Sequence, residues 1–289
     1  MTGTAQPFLD AIALTEEGPL RFSAQPQSVP WPKAYGGDSV AQALAAATRT
    51  VEAGRLVHSM HSYFLRPVDI GERVLYEVAV VRDGRGFSHR SVVGSQHGRE
   101  VLHATLSFAA GAAGAASYAA PQDRPVARPE DLPTAEEALR SAGLLDSAAG
   151  AYWAGGRSFD LRHDPAPLYG RGMAESAGAA GQAVWVRALS PIPQDPATQR
   201  TALAYVCDYT ILESLLRVQG LGWGSAGLAT ASLDHSMWFH RAADLNEWLL
   251  YVQEAVSVQE ERGLATGRFY TAGGVLVASV AQEGVLRVR

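Results

Sequence analysis

A chain of 289 residues with 47% hydrophobic side chains is long enough to bury one large core or two smaller ones, and a formal net charge of −5 gives it no general attraction to nucleic acid. Its one cysteine, Cys207, excludes an intrachain disulfide and fits a reducing compartment. No apolar run approaches the ~20 residues of a membrane span, the N-terminal MTGTAQPFLDA lacks a signal peptide's basic start and apolar core, and Val288-Arg289 is no peroxisomal tripeptide, so a cytoplasmic location is expected.

A polar lead-in broken by Pro26, Pro30 and Pro32 gives way to Gly36-Gly37, which opens a helical run of small residues from Asp38 to Thr50. Strands are expected near 56–66, 73–82, 86–97 and 100–109, with His97-Gly98-Arg99 turning the last pair into a hairpin. One helix followed by consecutive strands on short turns implies a mostly antiparallel sheet laid against that helix. From Ala109 to about Gly156 the composition shifts to Ala, Gly, Pro and charge, which reads as a linker with one helix, Thr134 to Leu145, behind Pro133. The second half runs through a strand, Ala183 to Leu189, a long helix from about Thr198 to Val218, and strands near 228–241, 247–259, 263–271 and 274–282.

The halves echo one another. Arg66, Asp69, Glu72, Leu75 and Tyr76 fall opposite Arg241, Asp244, Glu247, Leu250 and Tyr251 at a separation of 175. Val101, Leu102 and Ala104 fall opposite Val275, Leu276 and Ala278 at 174. The order of elements around these matches is the same, so an internal duplication is expected.

Three polar residues stand out against apolar surroundings. Asp208 shares a helical face with Ala204, Ile211, Leu212 and Leu215, where a carboxylate loses hydration unless something pairs with it or uses it; a helix cap is the plainer alternative. Gln282 ends the strand VLVASVAQ on the face of Leu276, Ala278 and Val280, either held by backbone or put to work. Ser232, in ATASLDHSMWFHR, offers a hydroxyl that is ordinary in a strand taken alone. His61 and His235 are read as matching, hydrogen-bonded structural histidines. His58 with His61, and His235 with His240, fall on opposite strand faces, so no metal site is expected. Cys207 has no base placed beside it by the sequence, and GLGWGSAG at 220–227 lacks the Gly-Lys-Ser/Thr of a phosphate loop.

The segments LVHSMHSYFLRP (56–67), VRDGRGF (81–87), LDHSMWFHR (233–241), LNEWLLY (245–251) and GVLVASVAQEG (274–284) resemble the acyl-CoA thioesterase II family, the bacterial TesB-like enzymes. The resemblance implies an α+β double hot-dog fold, with two antiparallel sheets each wrapped around a helix. It divides the chain into an N-terminal hot-dog domain (1–109), a linker (110–157) and a C-terminal hot-dog domain (158–289) carrying the site. It implies hydrolysis of acyl-CoA to fatty acid and CoA, with Asp208, Ser232 and Gln282 positioning a water, arginines meeting the CoA phosphates, and no cofactor or metal. Homo-oligomerisation is left open. A non-catalytic acyl-CoA-binding protein and a hot-dog hydratase or dehydratase are the alternatives. The chain departs from the family at Ser232, where Thr is frequent; at Asp38, where Gln follows the Gly pair; and at Gly86, where Ser is usual. At an offset of 170 Asp38 falls opposite Asp208, but Gln282 meets Phe108 and Ser232 meets His58 at 174. One site per chain is therefore expected, with Asp38 a helix cap.

Overall fold

The computed structural model describes Thr4 and residues 6–111, 116–170 and 178–289. The polar lead-in is more structured than its composition suggests. It forms helix α1 (Gln6–Ala11) and a short hairpin, β1 (Thr15–Gly18) and β2 (Arg21–Ala24), pinned by the fully buried Phe8. The helix opened by the glycine pair, α2 (Gly36–Thr48), is buried continuously from Gly37 to Leu44 and again at Ala46 and Ala47. A helix enclosed on nearly every side has to present small side chains, which explains GGDSVAQALAAAT better than helix propensity does. Strands β3 (Leu56–Phe64), β4 (Val74–Asp83), β5 (Phe87–Gln96) and β6 (Arg99–Ala109) follow where expected. The β5–β6 turn has both His97 and Gly98 at positive φ, the geometry a two-residue hairpin loop demands.

The connector carries more structure than one helix. Helix α3 (Ala135–Ser141) is fixed by a reciprocal capping box between Thr134 and Glu137 and buries Leu139 completely. A short helix α4 (Ala148–Ala151) and a wide turn, Tyr152–Gly156, lead into strand β7 (Phe159–Asp164), which the sequence reading lacked, and then β8 (Gly181–Ala188).

The long helix expected from Thr198 to Val218 is instead two helices with a break. Helix α5 (Pro196–Val206) starts on Asp195, whose carboxylate accepts the Thr198 N–H, with Pro196 at the first helical position. A 3₁₀ turn, Cys207–Tyr209, interrupts it, Thr210 leaves the helical region at φ −135°, and α6 (Glu213–Val218) resumes. Thr210 is held out of register by side chains from the sheet: its hydroxyl accepts from Gln253 Nε2 and its carbonyl from Gln182 Nε2. The strand expected over 228–241 is likewise two, β9 (Leu228–Ser232) and β10 (Asp234–Phe239), parted at Leu233. Strands β11 (Leu249–Gln259), β12 (Arg262–Thr271) and β13 (Leu276–Val288) complete the chain. Gln282 lies mid-strand rather than at a strand end, because β13 runs on to Val288 to pair with β9.

Among the described residues the strands form one antiparallel sheet in the order β1-β2-β4-β5-β6-β3-β10-β13-β12-β11-β8-β7, with β9 added on β13. The sequence β2-β4-β5-β6-β3 is repeated in mirror order by β10-β13-β12-β11-β8. The halves meet at the β3–β10 seam, where Met60 pairs with Met237 and Asp234 with Tyr63. Helices α2 and α5 pack together inside this sheet. The arrangement is the α+β double hot-dog fold, with a helical segment of each half enclosed by its own strands.

Candidate active site

The break between α5 and α6 sets Asp208 against the first turn of α2. Gly37 donates its backbone N–H to the Asp208 carboxylate. The approach is close enough that a Cβ on Gly36 would stand 2.6 Å from Asp208 Oδ2 and 3.4 Å from the Phe64 ring. On Gly37 a Cβ would collide with the Tyr35 ring and the Tyr205 carbonyl. Only a glycine pair lets this helix start, with its partial positive charge, reach the carboxylate. Asp208 does not cap the helical segment it belongs to; it accepts a first-turn N–H of α2.

The structure brings the three singled-out residues together. Ser232, last in β9, donates its hydroxyl to Asp208 Oδ1 at 3.1 Å. Gln282 reaches across from β13, its Nε2 2.6 Å from Asp208 Oδ1 and 2.9 Å from Ser232 Oγ. Gln282 is fully buried, whereas Asp208 and Ser232 keep partial access to solvent. Burial raises the Asp208 carboxyl to about 6, against the lowering effect of the Gln282, Ser232 and Gly37 donors. At pH 7 such a group is about nine-tenths ionised and close to the range at which a general base works best.

His235 stands behind Gln282, its Nδ1 3.0 Å from Gln282 Oε1, and is fully buried; desolvation lowers its pKa. It does not match His61. Across the seam His61 pairs with Ser236 and His235 with Ser62, so His61 faces solvent and His235 the interior. A shift of one residue in the repeat offset turns a strand side chain to the other face, and at the offset of 175 the interior counterpart of His235 is Met60. Cys207 is buried beside Asp208, and burial together with that carboxylate holds its thiol well above the ordinary range, in the unreactive protonated form.

Asp38 is not a cap. Helix α2 begins two residues earlier, Tyr35 occupies the cap position without a side-chain bond, and Asp38 points inward with no solvent exposure. Its Oδ2 accepts the Gln27 N–H at 3.0 Å and its Oδ1 the Gln27 Nε2 at 3.2 Å. Burial, with a contribution from Asp208, raises it to about 7.

A second buried polar cluster escaped the sequence reading. Glu213, fully buried at the start of α6, accepts from Trp223 Nε1 at 2.8 Å and Gln182 Nε2 at 3.0 Å, with His163 Nε2 at 3.2 Å. Burial alone would raise its carboxyl, but these partners, His163 foremost, hold it at about 2. Its signal in the sequence was the one that marked Asp208, a carboxylate inside an apolar helical run, ILESLL.

A family model described as acyl-CoA thioesterase matches residues 158–285, and one described as the acyl-CoA thioesterase N-terminal domain matches 27–109. The acyl-CoA thioesterase 2 of Haemophilus influenzae is 32% identical over 284 residues, 97% of this chain and 96% of that protein. The chain belongs to the acyl-CoA thioesterase family. Crystallised members include the acyl-CoA thioesterase II TesB2 of Mycobacterium marinum, 33% identical with a TM-score of 0.74 over 97% of each chain. A tesB protein of Mycobacterium avium subs paratuberculosis is 31% identical with a TM-score of 0.78, covering 98% of this chain and all of its own. The thioesterase family match thus spans both halves, and the Asp208, Ser232 and Gln282 cluster lies in the part matched by the longer model.

Proposed function

We propose that this protein hydrolyses acyl-CoA thioesters to fatty acid and free CoA, in a single site built on Asp208, Ser232 and Gln282. The observation that carries the reading is the convergence of Ser232 and Gln282, from two strands, on the one partly solvent-reaching carboxylate that the helix break sets at the start of α2. Ser232 and Gln282 both bond to Oδ1, and the carboxylate, with the Gly37 N–H as its remaining donor, takes a proton from water. The hydroxide so formed adds to the thioester carbonyl, and collapse of the tetrahedral intermediate expels the CoA thiolate, which recovers the proton from Asp208. Gln282 and Ser232 hold the carboxylate in line and stabilise its ionised form. The chain is read as two hot-dog domains, 1–109 and 158–289, bridged by 110–157, with catalysis in the second; this division coincides with the gap between the two family matches. No helix among the described residues is long and apolar enough to cross a membrane.

The hydratase or dehydratase alternative calls for an accessible catalytic histidine, and His235, the histidine beside Asp208, is enclosed behind Gln282. The binding-only alternative would be favoured by loss of a polar group from the cluster, and all three are present. The test is thiol release from a panel of acyl-CoAs by the wild type and Asp208→Asn. Removing a general base costs ~10²–10⁴-fold in kcat, and kcat/KM of the wild type should fall below an acid limb near pH 6, as Asp208 protonates. Wild-type-like turnover by a folded Asp208→Asn would remove Asp208 from the chemistry, and CoA binding without turnover would favour the binding-only alternative.

A further inference from the structure

We propose that His235 is a positioning residue for this reaction: it fixes the side-chain amide of Gln282 in the one orientation that turns N–H groups, rather than a carbonyl, toward Asp208. The inference rests on the thioesterase reading for its kinetic arm only.

A glutamine amide is nearly symmetric in shape but not in chemistry, so a buried Gln whose orientation matters needs a partner that tells oxygen from nitrogen. Gln282 has such a partner at each end. Its Nε2 spends its two hydrogens on Asp208 Oδ1 at 2.6 Å and Ser232 Oγ at 2.9 Å. Its Oε1 lies 3.0 Å from His235 Nδ1. Because a carbonyl oxygen only accepts, His235 must carry its proton on Nδ1, and as a neutral ring it keeps Nε2 bare. The environment agrees: His235 is fully buried, which disfavours the imidazolium, and the group near Nε2 is the Cys207 sulfur at 3.7 Å. Flipping the amide would press Oε1 against an ionised carboxylate and the NH₂ against the Nδ1–H. The Nδ1–H therefore penalises the wrong rotamer from the far side of the amide.

The backbone makes the arrangement possible. Ser236 pairs with Ala281 across β10 and β13, so one step along the ladder His235 stands beside Gln282, and both point inward. The strand break at Leu233 is what brings Ser232 and His235 to bear on the same glutamine from β9 and β10. The side chains electrostatically coupled or bonded to Asp208 are Tyr35 at the cap of α2, Asp38 from α2, Cys207 beside it, Tyr251 from β11, Ser232 from β9 and Gln282 from β13. Of these, Gln282 is the donor with the shortest bond to the carboxylate, so its orientation is the lever on Asp208.

The experiment compares His235→Leu, which keeps bulk without a donor, with His235→Asn, whose Nδ2 stands where the imidazole Nδ1 does. The carboxyl of Asp208 is titrated by ¹³C NMR on aspartate-labelled protein, its signal assigned by its loss in Asp208→Asn, and kcat and KM are measured alongside. Freed of its anchor, the amide no longer supports the ionised carboxylate, so in His235→Leu the Asp208 titration should move up by about one pH unit. The kcat should fall ~10–10²-fold with KM within about threefold, the signature of a misplaced catalytic group. His235→Asn should return both toward wild type. An Asp208 titration unchanged in folded His235→Leu, or His235→Asn as impaired as His235→Leu in both readouts, overturns the proposal. Should neither variant fold, ¹⁵N NMR of the wild-type imidazole decides: a proton on Nδ1 with Nε2 bare supports the role, and the opposite tautomer overturns it. Since neither NMR readout needs turnover, a wild type that releases no thiol from any acyl-CoA sinks the thioesterase reading while these measurements still judge His235.

Discussion

One methyl group at Gly36 separates the stability of the fold from the geometry of the site. The Cβ of alanine at this position would stand 2.6 Å from Asp208 Oδ2, 3.4 Å from Asp208 Cγ and 3.4 Å from the Phe64 ring. A carbon and an oxygen that are not bonded settle about 3.5 Å apart, so the carboxylate has to yield by roughly an ångström. Aspartate is short, and a rotation that carries Oδ2 away drags Oδ1 off the 2.6 Å bond from Gln282 and the 3.1 Å bond from Ser232. Displacements of that size cost about 10²-fold in rate when they fall on a reacting group. The helix itself has no reason to object. Gly36 is the first residue of α2, is not among the residues at positive φ, and alanine in its place gains about 0.5–1 kcal/mol of helix stability. Gly36→Ala should therefore melt at or above the wild-type temperature while kcat for thiol release falls ~10–10²-fold. Gly37→Ala makes the contrast, because its Cβ meets the Tyr205 backbone carbonyl and the Tyr35 ring, and the strain should appear as lost stability of ~1–3 kcal/mol. Melting by circular dichroism and steady-state thiol release on both variants decide the matter. A Gly36→Ala enzyme with wild-type kcat would show that the close approach of α2 to Asp208 has no bearing on turnover.

Further outcomes follow from the same geometry. Ser232→Ala should lower kcat and Ser232→Thr should keep it near wild type, since the hydroxyl is what bonds to Asp208 and Gln282; an alanine variant at full rate would exclude Ser232. Asp38, raised in the fold from 3.8 to about 7, is penalised only once ionised, so its cost is absent below about pH 4, grows through pH 4–7 and levels at ~4 kcal/mol above. Urea unfolding should then show wild type losing stability relative to Asp38→Asn between pH 5 and pH 8, with kcat of the variant within a few fold of wild type; parallel pH profiles would contradict this. Glu213 has the opposite sign: held at about 2, it stabilises above its unfolded pKa near 4.5, and that stability is lost as pH falls toward 2. Glu213→Gln should destabilise by ~3–5 kcal/mol at pH 7, the range for a broken buried ionic cluster, and leave kcat intact.

What the sequence revealed and what it hid divide along physical lines. Strand alternation and the Gly36-Gly37 helix start are local signals, and β3 to β6, α2 and β11 to β13 lie where those signals put them. Asp208 and Gln282 were conspicuous because a polar group on an apolar face is visible without coordinates. The breaks at Cys207–Leu212 and at Leu233 were not visible, since both are imposed from elsewhere, by Gln182 and Gln253 reaching Thr210 and by β13 pairing with β9 and β10 at once. Short β1, β2 and β7 lack the length for a periodic signal and owe their existence to neighbouring strands and to anchors such as Phe8. The pairing of His61 with His235 failed because it takes an offset of 174, one residue short of the 175 that aligns Arg66 with Arg241, and alternation along a strand turns a one-residue slip to the opposite face.

The double hot-dog fold places a carboxylate at Asp38 and another at Asp208, and the proposed function assigns the chemistry to Asp208 on the contrast in their surroundings. Asp38 lies in the first turn of α2 and Asp208 in the 3₁₀ turn Cys207–Tyr209, and both are lifted by burial, to about 7 and about 6. Asp38 has each oxygen taken up by Gln27 and no exposure, with Tyr205 tied to the same glutamine. A proton acceptor so enclosed has no oxygen free for water and no path for a thioester. Asp208 keeps partial access to solvent, and its two side-chain donors both fall on Oδ1. The glutamine that supports it has Phe108 as its counterpart in the first half, a side chain that can neither donate to a carboxylate nor order a water. Restoring a second site would thus require more than exchanging one residue. Phe108→Gln alone would bury an amide on the inner face of β6 with no His235 equivalent beside it, since the apolar Val57 pairs with that position, and it should destabilise the fold by ~1–3 kcal/mol without adding turnover.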